Sequence, residues 1–545
     1  MTTVLTGTVL TPEPAEAIAI EAGKIAAVGS ARALLARFDD ATQVDLDGRV
    51  AVPGFIDPHH HLSIACVHRS AVDLRHSRAI EELLAEIRRA AERTPVGKWI
   101  YAFGHDEQVL AERRHPTAAE LEAAAPEHPV FAYHYSCHEG VVNERALALL
   151  GLDAKSPDPP GGLLDRDARG RLTGRLVAAA LGPAEAKARA SRIAEKLDDI
   201  LDHFVEYERE LFAVGITRIA DATVSSDLAL LYRKARAERG FRLPVVMMPS
   251  SDRGILEPAW DRVGNVTTGE GDDALSTGAL KLILDGANRC ALCLGPGQAA
   301  GMALRTLASA LLRRSLDPLR PSADVDARYS RGAIRTGLMY YDDESAKRIV
   351  AEATGQGLAV ALHAIGNAAV SQALTALRND RGKLRPRIEH ASILDADHVR
   401  RIADQGVTVV TQPGFLLLPT SDHLHLPPSL RFMPLRRLLD AGVLVAGSSD
   451  APVTHFDPLV GMSSAVTRKT LSGRRLHPEQ AISPSEALAL YTKSAARALG
   501  LEDRVGSLEV GKRADIAVLS ADPRVTRDLR VEQTWLFGEP VFERD

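Results

Sequence analysis

The sequence predicts an α/β protein: a (β/α)8 TIM-like barrel, a small β-sandwich domain formed from both chain ends, and an insertion subdomain. Three observations lead there. Eight near-continuous apolar runs alternate with helical stretches, short strand patterns sit at both chain ends, and two spacings between runs are too long for a simple strand–helix unit.

The ends come first. Residues 17–21 and 24–28 alternate as strands around Ala22-Gly23, the pattern of a hairpin. Residues 514–519 and 534–537 read the same way near the C-terminus, followed by a Gly538-Glu539-Pro540 turn and Val541-Phe542. Chain termini often lie close together, so residues 1–52 and 500–545 are assigned to one small domain. The eight apolar runs are residues 50–56, 216–223, 244–249, 279–285, 358–365, 387–392, 407–412 and 444–449. They place the barrel at 53–499. One long spacing, about 65–210, holds its own strand candidate at 129–133 and the Pro/Gly-rich loop 156–162. It closes on a helical segment carrying Ile193, Leu197, Ile200, Leu201 and Phe204. The other long spacing, about 287–340, carries an amphipathic helix through Leu304, Leu307, Leu311 and Leu312, ending at Asp317-Pro318. Long insertions in a barrel serve the mouth of its active site.

Bulk properties narrow the function. The chain has 545 residues, a formal net charge of −5, 45% hydrophobic and 25% charged residues. That is a multi-domain globular composition with no basic excess for phosphate binding, so nucleic acid is not an expected partner. No run approaches the ~18 apolar residues of a membrane span. The N-terminus lacks the basic start and apolar core of a secretory signal. With only four cysteines, the cytoplasm is the expected compartment. Cys290 and Cys293 form a C-x-x-C without a second ligand pair, and are read as thiols with no zinc or redox role.

The chemistry concentrates at the ends of the apolar runs. PGFIDPHHH (53–61) ends the first. Residues two apart on an extended chain face one side, so His59 and His61 can reach one metal while His60 points away. The assignment of His60 as a ligand is the alternative, and the pleat disfavours it. Lys281, His363, His390 and Asp450 lie at or near the ends of later runs. Polar residues there converge on one face of a barrel, and imidazole with carboxylate is the ligand set of zinc-like ions. Each residue alone has an ordinary structural reading, as a hydrogen-bonded core histidine, a snorkelling lysine or a turn-capping aspartate. Their joint occurrence on successive strands favours a metal site.

These segments resemble the amidohydrolase superfamily, in particular its YtcJ-like branch, which contains N-substituted formamide deformylases. The resemblance rests on PGFIDPHHH, GHDE (104–107), ALKLILDG (279–286), ALHAIGN (361–367), RIEHAS (387–392), AGSSDAPV (446–453) and GSLEVGKRADIAVL (506–519), and so runs nearly end to end. It implies two divalent metal ions, with zinc the leading choice. It also implies a CO2-derived carbamate on Lys281 that turns a repelling ammonium into a carboxylate-like bridge. His59, His61 and Asp450 would hold the more buried ion, and His363 and His390 the other. A hydroxide shared by both ions would attack the carbonyl, with Asp450 taking and returning the proton. Many relatives have Trp where His105 stands, Asp-Gly-His where Ser136-Cys137-His138 stands, and Gly-Asp where Gly366-Asn367 stands. His105, Asp106, His138 and Asn367 are therefore the candidate substrate contacts. The expected activity is hydrolysis of a C–N bond other than a peptide bond, in an amide, N-formyl or cyclic amide. The partner is a small-molecule substrate, and analogy adds a homodimer. Two rival readings stand beside it: a single-metal deaminase of the same fold, which generally lacks the lysine, and a non-catalytic ligand-binding relative, which usually loses ligands.

Overall fold

The computed structural model describes residues 2–10, 14–250, 266–286, 290–314, 319, 327–330, 332–378 and 385–545. The predicted helix end at Asp317-Pro318 lies outside these residues. Among them, no helix is long and apolar enough to cross a membrane.

Eight parallel strands form the centre: β1 (Phe55–His60), β2 (Ile216–Val224), β3 (Val245–Pro249), β4 (Leu280–Ile283), β5 (Val360–Ala364), β6 (Arg387–His390), β7 (Thr408–Thr411) and β8 (Val445–Gly447). Strands that are consecutive in the chain are neighbours in space, in two arcs, β1-β2-β3, extended at its edge by the short parallel strand Leu275–Thr277, and β4 to β8. Every residue of β1 and β2 is buried, which explains apolar runs rather than alternation. The arcs meet through hydrogen bonds outside the ladders. Gly278 N donates to Met247 O (2.6 Å) ahead of β4, while Asp450 N donates to His59 O and His61 N to Ala451 O (2.9 Å each) where β8 meets β1.

The first apolar run splits in two. Thr42–Pro53 belongs to a different sheet, and β1 starts at Phe55. Gly54 makes the transfer possible, because a Cβ there would lie 2.4 Å from Thr217 Oγ1. Thr42–Pro53 instead pairs with Thr2–Val9 and Ile516–Leu519. The chain ends thus form a single seven-stranded sheet, where the sequence predicted a two-sheet sandwich. The twelve-residue strand is long enough to serve both ends at once, which makes the sheet continuous.

The insertion holds a six-stranded mixed sheet spanning Val72–Asp73 to Leu172–Ala178. One side is packed by helix Ile80–Ala91 through Ile80, Leu83, Leu84 and Ile87, a stripe at helical spacing. The helical segment that closes the insertion is two helices, Gly182–Glu195 and Leu197–Ala213, broken at Lys196. Helix Pro296–Arg313 forms as the periodicity predicts, but Leu304, Leu307, Leu311 and Leu312 face outward. Its buried positions are Thr306 and Ala310.

Candidate metal centre

His59 is the penultimate residue of β1 and His61 is the residue before helix Leu62–Ser70. His61 Nε2 lies 3.0 Å and His59 Nε2 3.2 Å from Asp450 Oδ1. The donor atoms of these three residues all lie within 4.8 Å of one another. His60 turns the other way, with Nδ1 3.0 Å from Asp57 Oδ2 and Nε2 3.2 Å from Tyr207 Oη. Lys281, on β4, places Nζ 3.0 Å from His59 Nε2. His363 on β5 and His390 on β6 stack edge to face with ring centroids 4.3 Å apart. All six side chains line one cavity, whose walls also include Ile64, Ile283, Pro452 and Val453.

The strand ends are shaped for this purpose. Asp450 (φ +60°), His390 (φ +71°) and Thr223 (φ +76°) adopt left-handed backbone at the ends of β8, β6 and β2. Such conformations cost on the order of 1–3 kcal/mol for residues other than glycine and cluster at functional sites. Thr223 Oγ1 lies 3.2 Å from His61 Nδ1.

Each ring is also oriented from behind. His59 Nδ1 meets the Glu389 carboxylate, which Arg387 grips in turn. His390 Nδ1 donates to Gln412 Oε1 (2.8 Å), and Gln412 Nε2 to Ser448 Oγ (2.9 Å). Partners of this kind fix the tautomer of a metal-ligating histidine and leave the other nitrogen for the ion. Sequence reasoning missed Glu389, Gln412 and Thr223. An acidic residue inside the buried strand RIEH was the available signal, since such a charge needs a partner.

The electrostatics suit cation ligands. Burial pushes His390 down to about 3 and His363 well below the usual range, so both rings are neutral. Among the described residues, their Nε2 atoms are buried without a hydrogen-bond partner. That is costly for a finished hydrogen-bond network and natural for metal ligands. Burial also lowers Lys281 to about 8, against the opposing pull of Glu389 and Asp450. Burial would raise the Asp450 carboxyl, but its hydrogen bonds to His59 and His61 prevail and hold it well below the carboxylate range.

The candidate substrate contacts separate. His138 lines the cavity, its Nδ1 3.1 Å from Tyr340 Oη. Asn367 uses its side chain on the backbone of Cys293, accepting from N and donating to O at 2.9 Å each. It latches the loop rather than lining the cavity. His105 ends a strand of the insertion sheet and Asp106 follows it, both outside the cavity lining. Cys290 and Cys293 are unpaired thiols.

The chain belongs to the amidohydrolase family, whose profile matches residues 42–542. It is 30% identical to N-substituted formamide deformylase from Arthrobacter pascens, over 97% of this chain and 95% of that protein. It is 26% identical to the YtcJ protein of Bacillus subtilis (strain 168), over 97% and 96% of the two chains. Among solved structures it resembles a metal-dependent hydrolase from Pyrococcus horikoshii, with a TM-score of 0.69 at 24% identity, covering 97% of this chain and 99% of that one. That last likeness is one of fold.

Proposed function

We propose that the chain is a metal-dependent hydrolase that cleaves a C–N bond other than a peptide bond, in an amide, N-formyl or cyclic amide. The observation that carries this reading is the pair of buried, unpartnered Nε2 atoms of His363 and His390, facing the cavity that His59, His61, Lys281 and Asp450 also line. Family membership and the likeness to a formamide deformylase support it. The two arcs of parallel strands are read as the halves of a (β/α)8 barrel, with the site at the C-terminal strand ends where such barrels carry their chemistry.

His59, His61 and Asp450 would hold one divalent ion and His363 and His390 a second, with zinc the leading choice. Lys281 would join both as a carbamate, because its free ammonium would repel cations at this position. When bound, the ions supply Lewis-acid polarisation of a carbonyl and lower the pKa of water toward neutrality. The ionised Asp450 carboxylate receives the proton of the attacking water and delivers it to the leaving nitrogen. His138, held by Tyr340, donates to or accepts from the substrate. Ile64, Ile283 and Val453 receive the apolar part of a small molecule and displace water around the scissile bond.

The test is release of amine and formate from N-substituted formamides, alongside simple and cyclic amides. Chelation should abolish turnover, and zinc with bicarbonate should restore it. No turnover on any of these by metal-loaded protein would overturn the reading. Ammonia release from an aminated ring would favour a deaminase instead.

A further inference from the structure

A second set of potential metal ligands lies in the insertion, apart from the central cavity. The parallel neighbours Ile100–His105 and Val130–His134 deliver it from adjacent strand ends. His134 closes one strand, and Asp106 and Glu107 follow the other. Asp106, Glu107 and His134 each present one donor atom, all within 4.8 Å of one another. His134 Nε2 and Glu107 Oε2 are 2.9 Å apart.

His115 lies beside this group, against Glu107. Its Nδ1 lies 3.3 Å from His105 Nε2. Its Nε2 lies 3.7 Å from both Glu107 Oε2 and Glu139 Oε2, beyond hydrogen-bond range, and is buried without a hydrogen-bond partner among the described residues. The side chain is only 10% exposed. A nitrogen so placed, aimed between carboxylates yet bonded to neither, lacks only a cation. Zinc bonds to nitrogen and oxygen of about 2.1 Å in a tetrahedron put neighbouring ligands about 3.4 Å apart. The separations of 2.9 and 3.7 Å bracket that value.

The charge count points the same way. Asp106, Glu107 and Glu139 are three carboxylates, and Arg175 pairs with Glu139 at 2.6 Å. Glu107 and Asp106 face the histidines, and the histidines or an ion can balance their charge. His134 also reaches toward the central site, since its Nδ1 lies 2.7 Å from Ser136 Oγ, and Ser136, Cys137 and His138 line the cavity.

We propose that Asp106, Glu107 and His134, with His115 turned toward Glu107 beside them, form a separate site for a zinc-like dication in the insertion subdomain, behind the Ser136–His138 wall of the central cavity. Glu139 and Arg175 lie around it and balance its charge. An ion there would pin the wall that carries His138.

The test compares metal counts on a background lacking two central ligands, so that only the insertion residues differ between the proteins compared. Chain carrying His59→Asn and His61→Asn is stripped with chelator, titrated with Co2+ or Zn2+, and assayed by elemental analysis after gel filtration. The same count follows after adding Glu107→Gln and His115→Gln. The expected result is one equivalent fewer in the second protein, with the matching loss of the visible Co2+ absorption. His115→Gln in the otherwise unaltered chain covers the case in which the multiple variants fail to fold. It should weaken one equivalent by about tenfold or more while the circular dichroism of the stripped protein stays the same. Equal counts with and without Glu107→Gln and His115→Gln, or an unaltered titration of the single variant, would overturn the proposal and leave the cluster a hydrogen-bonded charge network. Neither readout depends on turnover, so failure of the catalytic reading would not be confused with failure here.

Discussion

His59 and Glu389 stand 330 positions apart in the chain, yet the imidazole Nδ1–H of one donates to the carboxylate of the other. Both side chains are fully buried. The bond leaves His59 Nε2 facing Asp450 and Lys281. Replacing Glu389 with Gln keeps the shape and removes the charge. Metal affinity should fall by about 10–100-fold, as for other outer partners of ligating histidines. Arg387, gripping the same carboxylate, would keep its own charge in a buried position, and stability should fall by about 3–5 kcal/mol. Competition against a chromogenic chelator measures the first effect and thermal melting the second. Wild-type affinity in Glu389→Gln would show that the bond does not tune the ligand.

Asp450 is the one carboxylate among the cavity-lining ligands. Its hydrogen bonds keep it ionised, the form a proton acceptor requires. Asp450→Asn is isosteric, so its backbone bond to His59 O should persist. Turnover on a formamide substrate should fall by at least about 10²–10⁴-fold, with the circular dichroism spectrum unchanged. Retained turnover would remove Asp450 from the proton-transfer role.

Much of this arrangement is legible in the sequence because buried parallel strands announce themselves as apolar runs, and polar residues at their ends stand out against them. Each of the eight central strands overlaps one predicted run. The boundary at Gly54 is not legible. Val50–Pro53 and Phe55–Ile56 are equally apolar, and only the close approach of Thr217 separates two sheets there. The outward leucines of helix Pro296–Arg313 show the same limit, since periodicity finds a stripe but not what lies against it. His105 stands out by its departure from a family pattern, and Asp106 is its neighbour in the same GHDE segment. Their neighbours His115, His134 and Glu139 come from other segments, so the cluster exists only once the strands are paired.

The seven-stranded sheet makes the last forty residues structural. Ile516–Leu519 lies between Thr42–Pro53 and Val531–Leu536, and all four of its residues are fully buried. Asp515 O also accepts from Gly54 N at 2.8 Å, at the point where the chain enters β1. A chain ending near residue 505 would expose the edge of Val50–Pro53 and forfeit about 1.5–3 kcal/mol for each large apolar side chain. Unpaired apolar edges aggregate. Light scattering after gel filtration should show large, polydisperse species. A monodisperse truncated protein would show that the terminal sheet does not need its C-terminal strands.

His68 offers a pH test away from the metal ligands. It stacks on Phe103 with ring centroids 3.8 Å apart, and neither ring nitrogen has a hydrogen-bond partner among the described residues. Burial, reinforced by the charges of His61, Arg75 and Arg189, pushes it from 6.5 down to about 3. Because the folded value lies below the unfolded one, the unfolded chain takes up the proton first as the solution is acidified. The stability involved is fully present above pH 6.5 and is lost progressively as pH falls toward about 3. The slope from this one group reaches about 1.4 kcal/mol per pH unit. His68→Leu has similar volume and no proton to bind, so it should flatten the denaturant-midpoint profile across that window. Any packing change would shift the whole curve without changing its slope. An equally steep acid limb in His68→Leu would assign the pH dependence to other groups.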